Sequence, residues 1–256
     1  MIGHAVISGA SRGLGATLAR QLAAPGVRLS LLARGGAGLA ETAAACAARG
    51  AKVATAVLDV RQAAAMATQL AAWEAERPVD TIIANAGING GTAPDGTPET
   101  HAAALAQLEV NLLGAVNLVQ PLLPGMLARG RGRIALVGSV AGFLGLPDSP
   151  AYSAGKAGLW AYAEALRAAH GPAGLRVLAV APGFFDSAMS VRYLGAHPLQ
   201  IGTEAMAARI LRALRRGQGR LVTPWPLGAL LRLLALLPPP LADALLRRGR
   251  FRISPE

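Results

Sequence analysis

Short apolar runs recur along the chain, separated by longer stretches of helical period. Residues 5–8, 27–32, 52–58, 80–84 and 133–138 are mostly apolar and bounded by turn-forming residues, which predicts five strands. A sixth run ends at Pro182-Gly183, and a seventh lies near 220–223. Between them Leu14, Leu18, Ala19 and Leu22 fall on one face of a helix, a second helix is expected over 36–49, and a long apolar helix carries Glu109-Val110-Asn111-Leu112-Leu113 and runs to about 128. After 223 the pattern changes. A Leu-rich helix over 227–237 and another over 241–248 flank Pro238-Pro239-Pro240, so the chain divides into residues 1–223 and a helical basic extension, 224–256.

A length of 256 residues suits one large α/β domain and does not demand two. The single cysteine, Cys46, has no internal disulfide partner, and residues 1–4 lead into the first strand without a basic or apolar leader. A reducing, cytoplasmic setting is therefore expected. No run of 18 or more uncharged apolar residues appears, so no membrane-spanning helix is expected either. The formal charge of +11 is uneven: residues 205–252 hold ten arginines against Asp243 alone. An 11-residue helix is only about 16 Å long at roughly 1.5 Å per residue, too short to cross a bilayer. Three uses of the extension stay open: packing over the chain's own cleft or a second subunit, lying on the inner membrane face with Arg247, Arg248, Arg250 and Arg252 near anionic headgroups, and nucleic-acid binding. The last is disfavoured by the lack of interleaved aromatic residues.

The turn Ser8-Gly9-Ala10-Ser11-Arg12-Gly13-Leu14-Gly15 joins the first strand to the first helix. Glycines there let backbone approach a ligand, and the helix amino terminus offers free N–H groups to a pyrophosphate. The second strand is followed by Arg34 where an acidic residue would bind a ribose 2′-hydroxyl; Arg34 and Arg12 favour a 2′-phosphate, unless both are solvated surface charges. Asp59 can accept from an adenine amino group or cap a strand-end turn. Asn85, in Asn85-Ala86-Gly87, is suited to tying neighbouring strand ends. Ser139 follows the fifth strand, where open α/β sheets bind ligands. Tyr152 and Lys156 lie one helical turn apart, so an ammonium can lower the pKa of a phenol toward the range of general acid/base work. Taken alone, that pair is common on helix surfaces.

Together these residues resemble the short-chain dehydrogenase/reductase family: the glycine turn at 8–15, the Asn85-Ala86-Gly87 turn, Asn111, Ser139, Tyr152 and Lys156, and Pro182-Gly183, in order and with the family's spacings over about residues 4–223. Ser8 and Ser187 stand where the family often has Thr. The resemblance implies a three-layer, doubly wound Rossmann-type fold with about seven parallel strands in the order 3-2-1-4-5-6-7. It implies that NADP(H), preferred over NAD(H), contacts Gly9, Ser11, Arg12, Gly13, Leu14 and Gly15 at the first turn, and Arg34, Asp59 and Val60 at the adenosine end. Asn85, Ala86 and Gly87, then Pro182, Gly183, Phe185 and Ser187, complete the expected contacts, with Tyr152 and Lys156. In its catalytic set, Tyr152 exchanges the proton, Lys156 holds the nicotinamide ribose and lowers the phenol's pKa, Ser139 orients the substrate oxygen, and Asn111 binds a water that links Lys156 to solvent.

Ala141, Phe143, Leu146, Phe184, Met189 and Tyr193 are the expected substrate pocket, with 184–202 as a lid, although half of these side chains could be ordinary core. Such a pocket suits a medium-sized hydrophobic ketone, aldehyde or alcohol. A β-ketoacyl thioester reductase is the alternative enzyme, and a non-catalytic NADP-binding regulatory or scaffold protein the alternative class. His4, His101, His170 and His197 do not cluster at ligand spacing, so no catalytic metal is expected. A homodimer or homotetramer is expected through the helices carrying Asn111 and Tyr152.

Overall fold

Strand β1 (His4–Ser8) is buried along its whole length and lies inside a seven-stranded sheet, between β2 and β4. The computed structural model describes residues 2–195, 197–248 and 252–254, so Arg250 lies outside the described residues. β2 (Arg28–Ala33), β3 (Lys52–Val57), β4 (Thr81–Ala84), β5 (Gly132–Val137), β6 (Leu175–Pro182) and β8 (Arg220–Thr223) complete the sheet, all parallel, in the order β3-β2-β1-β4-β5-β6-β8. β8 is the seventh strand of the expected order. A two-residue strand, β7 (Tyr193–Leu194), precedes it in the chain and pairs outside the sheet with β9 (Arg252–Ile253).

The apolar runs read as strands because helices cover both faces of the sheet. Alternate side chains go to opposite layers. Ile7, Ile83, Ala135, Val137, Leu178 and Val180 pack with α1 (Gly13–Leu22), α2 (Gly36–Ala47) and α9 (Thr203–Arg215). Val6, Ile82, Ile134, Leu136, Val177 and Ala179 face the layer of α3 (Ala63–Glu76), α5 (Gly114–Val119), α6 (Leu123–Ala128) and α7 (Pro150–His170). Each buried aliphatic side chain contributes about 1.5–3 kcal/mol.

The expected unbroken helix to residue 128 is three pieces. α4 (His101–Leu108) runs into a π-helical turn, Glu109–Leu113, and then α5; residues 120–122 separate α5 from α6. Pro121 has no N–H to continue the ladder and Pro124 sits in the first turn of α6, which explains the interruption. The stretch 101–119 is long and apolar enough to cross a membrane by length and composition alone, although it includes Glu109 and the amides Gln107, Asn111 and Asn117. Its inner side packs on α7, α3 and β4, as a helix covering a sheet does.

The extension folds back on the sheet's edge. α10 (Trp225–Leu234) packs Leu227, Leu231 and Leu234 against Val140, Ala181, Phe143 and Val222, and α11 (Pro239–Arg248) follows. Phe143 meets Trp160 edge-on at 4.8 Å with the Arg232 guanidinium 4.0 Å from its centroid. This contact anchors α10 and occupies part of the Phe143 ring, which is half-buried.

His4 is a core histidine with both ring nitrogens engaged. Nδ1 donates to the Arg77 carbonyl at 2.7 Å, and Nε2 then accepts from the Ser30 hydroxyl at 2.9 Å. Burial pushes its pKa below the usual value. The unfolded chain therefore binds more protons below about pH 6.5, and stability is lost as pH falls through that value. The melting temperature should fall between pH 7 and 5, and the fall should be smaller in His4→Gln; equal slopes would disprove the assignment.

Candidate active site

The carboxyl ends of β1 and β4 are tied together by side chains. The Ser8 hydroxyl accepts from the Asn85 and Ala86 amides, each at 3.1 Å, while Asn85 Nδ2 donates to the carbonyls of Ser8 and Gly9 at 3.1 and 3.3 Å. Gly9 and Gly13 have φ of 67° and 55°, and a Cβ on Gly15 would stand 2.2 Å from the Gly9 carbonyl oxygen. Only glycine fits at 15. α1 starts at Arg12 without a side-chain cap, which leaves its first-turn amides as donors, and a Cβ on Gly13 would meet nothing within 4 Å. An open cradle of uncapped amides suits a pyrophosphate. Leu14 is core, so only its backbone can serve a ligand, and the Ser11 carbonyl is backed closely by Gly38.

At the adenosine end Arg12 and Arg34 are exposed. Asp59 is bound by Arg61, whose Nε and Nη2 donate to its carboxylate and whose amide donates to Oδ1. Those hydrogen bonds hold the Asp59 carboxyl below its usual range, and Arg34 adds to the effect. This is the turn-capping use of Asp59, and Arg61 is a third cation there that the strand pattern did not reveal. The Val60 carbonyl accepts from Asn117 Nδ2 at 2.9 Å.

Ser139 follows β5 and caps the 3-10 turn Val140–Gly142, accepting from the Ala141 amide at 3.1 Å. Its hydroxyl stands close enough to the Tyr152 phenol to counter part of the rise that burial imposes on it. α7 carries Tyr152 and Lys156 one turn apart, 8% and 4% exposed. Lys156 Nζ lies 5.7 Å from the Tyr152 ring centroid and donates to the Val137 carbonyl at 3.0 Å. Asn111 lies in the π-turn, where its amide accepts from Ile88 N at 3.0 Å and donates to Ile88 O at 2.8 Å. Asn111 Oδ1 and Lys156 Nζ are 3.0 and 3.4 Å from the point where a Cβ on Gly87 would stand. The turn after β4 thus brings the two groups to one place. A π-turn at a functional side chain recurs in proteins, and no periodicity announced this one.

The electrostatics differ from the expectation drawn from the Tyr/Lys spacing. Burial raises the Tyr152 pKa, the nearby Tyr193 phenol adds to the rise, and Ser139 opposes it. Desolvation also acts on Lys156, pushing its ammonium down to about 8. In the protein alone Tyr152 is a protonated phenol across the neutral range.

On the substrate side, Phe184 stacks on His197 at 4.6 Å and meets Tyr193 at 5.8 Å. Ser187 caps the short helix α8 (Ala188–Val191), and Met189 is half-buried there. Ala141 is buried, and the Leu146 amide donates to Ser153 Oγ at 3.1 Å. Pro182 pairs with Thr223, and Gly183 N donates to the Thr223 carbonyl at 2.8 Å. Phe185, expected at the cofactor, is half-buried with its ring packed against the layer of α1 and α9. The expected lid is fastened: Ser254 N donates to Arg192 O at 2.9 Å, Arg192 Nε donates to Ser254 O at 2.8 Å, and Ile253 N donates to Thr92 O at 3.1 Å. Among the described residues no cluster of three His, Cys, Asp or Glu could hold a metal.

Residues 3–195 match the short chain dehydrogenase family. The chain is a member of that family. It is 34% identical to an uncharacterised oxidoreductase of Myxococcus xanthus (strain DK1622) over 247 residues, which is 96% of this chain and 97% of that protein. A ketoacyl reductase of Nostoc sp. (strain PCC 7120) is 38% identical over 184 residues, 70% of this chain and 62% of that protein. Among solved structures, a short-chain dehydrogenase from Sphingobium yanoikuyae in complex with NADPH superposes with a TM-score of 0.78 at 23% identity, covering 93% of this chain and 97% of that one, a likeness of fold.

For this dehydrogenase, burying Lys156 works against stability. The folded state releases the ammonium's proton near pH 8, the unfolded state near 10.5, so stability should rise with pH between those values. Lys156→Met should melt several degrees above the wild-type protein at pH 7 and lose the rise. A lower melting temperature at pH 7 would contradict this balance.

Proposed function

We propose that the chain reduces the carbonyl of a medium-sized hydrophobic ketone or aldehyde, or oxidises the corresponding alcohol, with NADPH preferred over NADH. The observation that carries this reading is the buried Tyr152 phenol one helical turn from the buried Lys156 ammonium, whose Nζ lies 5.7 Å from the Tyr152 ring centroid and bonds the carboxyl end of β5. The nicotinamide cofactor, when bound, supplies the hydride. When the carbonyl is reduced, Tyr152 would give its proton to the oxygen as that oxygen gains charge. Ser139 orients that oxygen. Lys156 would hold the nicotinamide ribose and compensate the phenolate left behind, and Asn111 would hold a water through which Lys156 returns a proton from solvent.

The uncapped amides of α1 receive the pyrophosphate, while exposed Arg12 and Arg34 pair with the 2′-phosphate of NADP(H). Similarity to a ketoacyl reductase supports a β-ketoacyl thioester as a second substrate reading. A homodimer or homotetramer through α4, α5 and α7 would cover Leu105 and Leu113, both exposed. Two measurements test the reading. Arg34→Ala should weaken NADPH binding about ten- to a hundredfold and NADH binding less than about threefold, since a charge-assisted hydrogen bond contributes roughly 1.5–3 kcal/mol; equal effects would remove the NADP preference. Tyr152→Phe should lower kcat by about 10²–10⁴ over a carbonyl panel, whereas nucleotide binding without turnover in the wild-type protein would support the regulatory alternative.

The outer face of the extension favours one further reading, peripheral contact with a membrane. α10 is apolar on both sides: beyond its packed leucines it exposes Leu230 and Leu233, followed by Leu236, Leu237, Leu241 and Leu245. The protein should sediment with anionic vesicles, and Leu233→Glu with Leu236→Glu should abolish this. Unchanged sedimentation in the variant would end the reading.

A further inference from the structure

We propose that Arg61 sets the cofactor preference at the adenosine end: its guanidinium holds both carboxylates there, Asp59 and Glu109, and so leaves the net positive charge that a 2′-phosphate requires. This rests on the NADPH reading above and deepens it, because Arg12 and Arg34 alone would only balance the two acids.

Three turns converge at this end of the sheet. The register of β2 and β3 pairs Ala33 with Val57, and Leu58 N donates to the Ala33 carbonyl at 2.9 Å, so Arg34 and Asp59 follow neighbouring strand ends. A Cβ on Gly38 would stand 2.6 Å from the Ser11 carbonyl oxygen, which sets the turn carrying Arg12 against the start of α2. The third turn, 59–61, is pinned to the helix layer at Val60. Its carbonyl accepts from Asn117 Nδ2 at 2.9 Å, and a Cβ on Gly114 would stand 2.5 Å from its Cγ2. Arg61 therefore leaves a fixed piece of backbone.

From there the guanidinium reaches two ways. Nε lies 3.1 Å from each Asp59 oxygen and Nη2 2.8 Å from Oδ2, while Nη1 stands 3.6 Å from Glu109 Oε2 at the start of the π-turn. A planar fork that is always charged suits this double use. Stability does not explain it: the Arg61 and Glu109 side chains are 41% and 46% exposed, and ion pairs so open to water contribute little. The charge balance does. Arg12, Arg34 and Arg61 stand against Asp59 and Glu109, an excess of one positive charge, and without Arg61 the count is two against two. NADPH and NADH differ at this end only by the 2′-phosphate, so the balance acts on one nucleotide and spares the other.

Nucleotide binding by the full chain, followed by fluorescence titration at low ionic strength, tests the assignment. Arg61→Met should raise the Kd for NADPH about tenfold and that for NADH less than about threefold, and adding Asp59→Asn should return the NADPH value to within about threefold of the wild type, since the charge count is then restored. An unchanged ratio of the two Kd values, or no recovery in the double variant, would leave Arg61 a turn-holding role only and overturn the inference. If Arg61→Met does not fold, Arg61→Gln is measured, with the same expected shift and the same overturning result. A wild-type protein that binds NADH as tightly as NADPH ends the preference stated above, and the inference then stands only if Arg61→Met still moves the Kd ratio about tenfold. Binding of neither nucleotide overturns both.

Discussion

A buried ammonium with a single described protein acceptor governs this molecule. Lys156 reaches the Val137 carbonyl and little else, inside a crevice that removes most of its hydration. Desolvation of that kind is unfavourable unless something is gained. Here the gain is a concentrated positive charge beside a phenol that burial keeps protonated. The surrounding glycines make the arrangement sterically feasible: Gly87 lets Asn111 and Lys156 approach the same point, and Gly142 lets the turn after Ser139 lie against the α7 backbone, where a Cβ would come within 2.9 Å of Lys156 and Ala157 main-chain atoms. The sheet supplies rigidity, and α7 supplies the spacing.

Rigid positioning extends to the nucleotide side. Ser8 and Asn85 join two neighbouring strand ends through side-chain hydrogen bonds, so the glycine turn is held from behind while its open side faces solvent. A turn built this way offers amides whose directions are fixed before any ligand arrives, which reduces the ordering entropy that binding must overcome.

Much of this was legible in the sequence because the sheet is covered on both faces: strands such as Val6 to Ser8 and Leu175 to Pro182 read as apolar runs, and the glycine turn reads as one because Gly15 has no room for a Cβ. The breaks at Pro121 and Pro124 were missed, because the apolar composition around the two prolines suggested one longer helix. What the sequence hid depends on distant partners. The direction of the Tyr152 shift is set by burial, which no local spacing reports. The packing of Phe143 against Arg232, 89 residues away in the chain, is another contact that no local pattern reports. The pairing of two-residue strands at 193–194 and 252–253 has no periodic signature.

The π-turn at 109–113 has a consequence for how this helix tolerates change. One additional residue is accommodated within a single turn, so the faces of α4 and α5 keep separate registers, one set by Gln107 and the other by Asn117. Removing one residue there would let the backbone heal into a regular helix while rotating everything on one side by about 100°. A deletion that improves local hydrogen bonding would therefore turn the amide at 111 away from Ile88, leaving a better helix and a broken reaction centre.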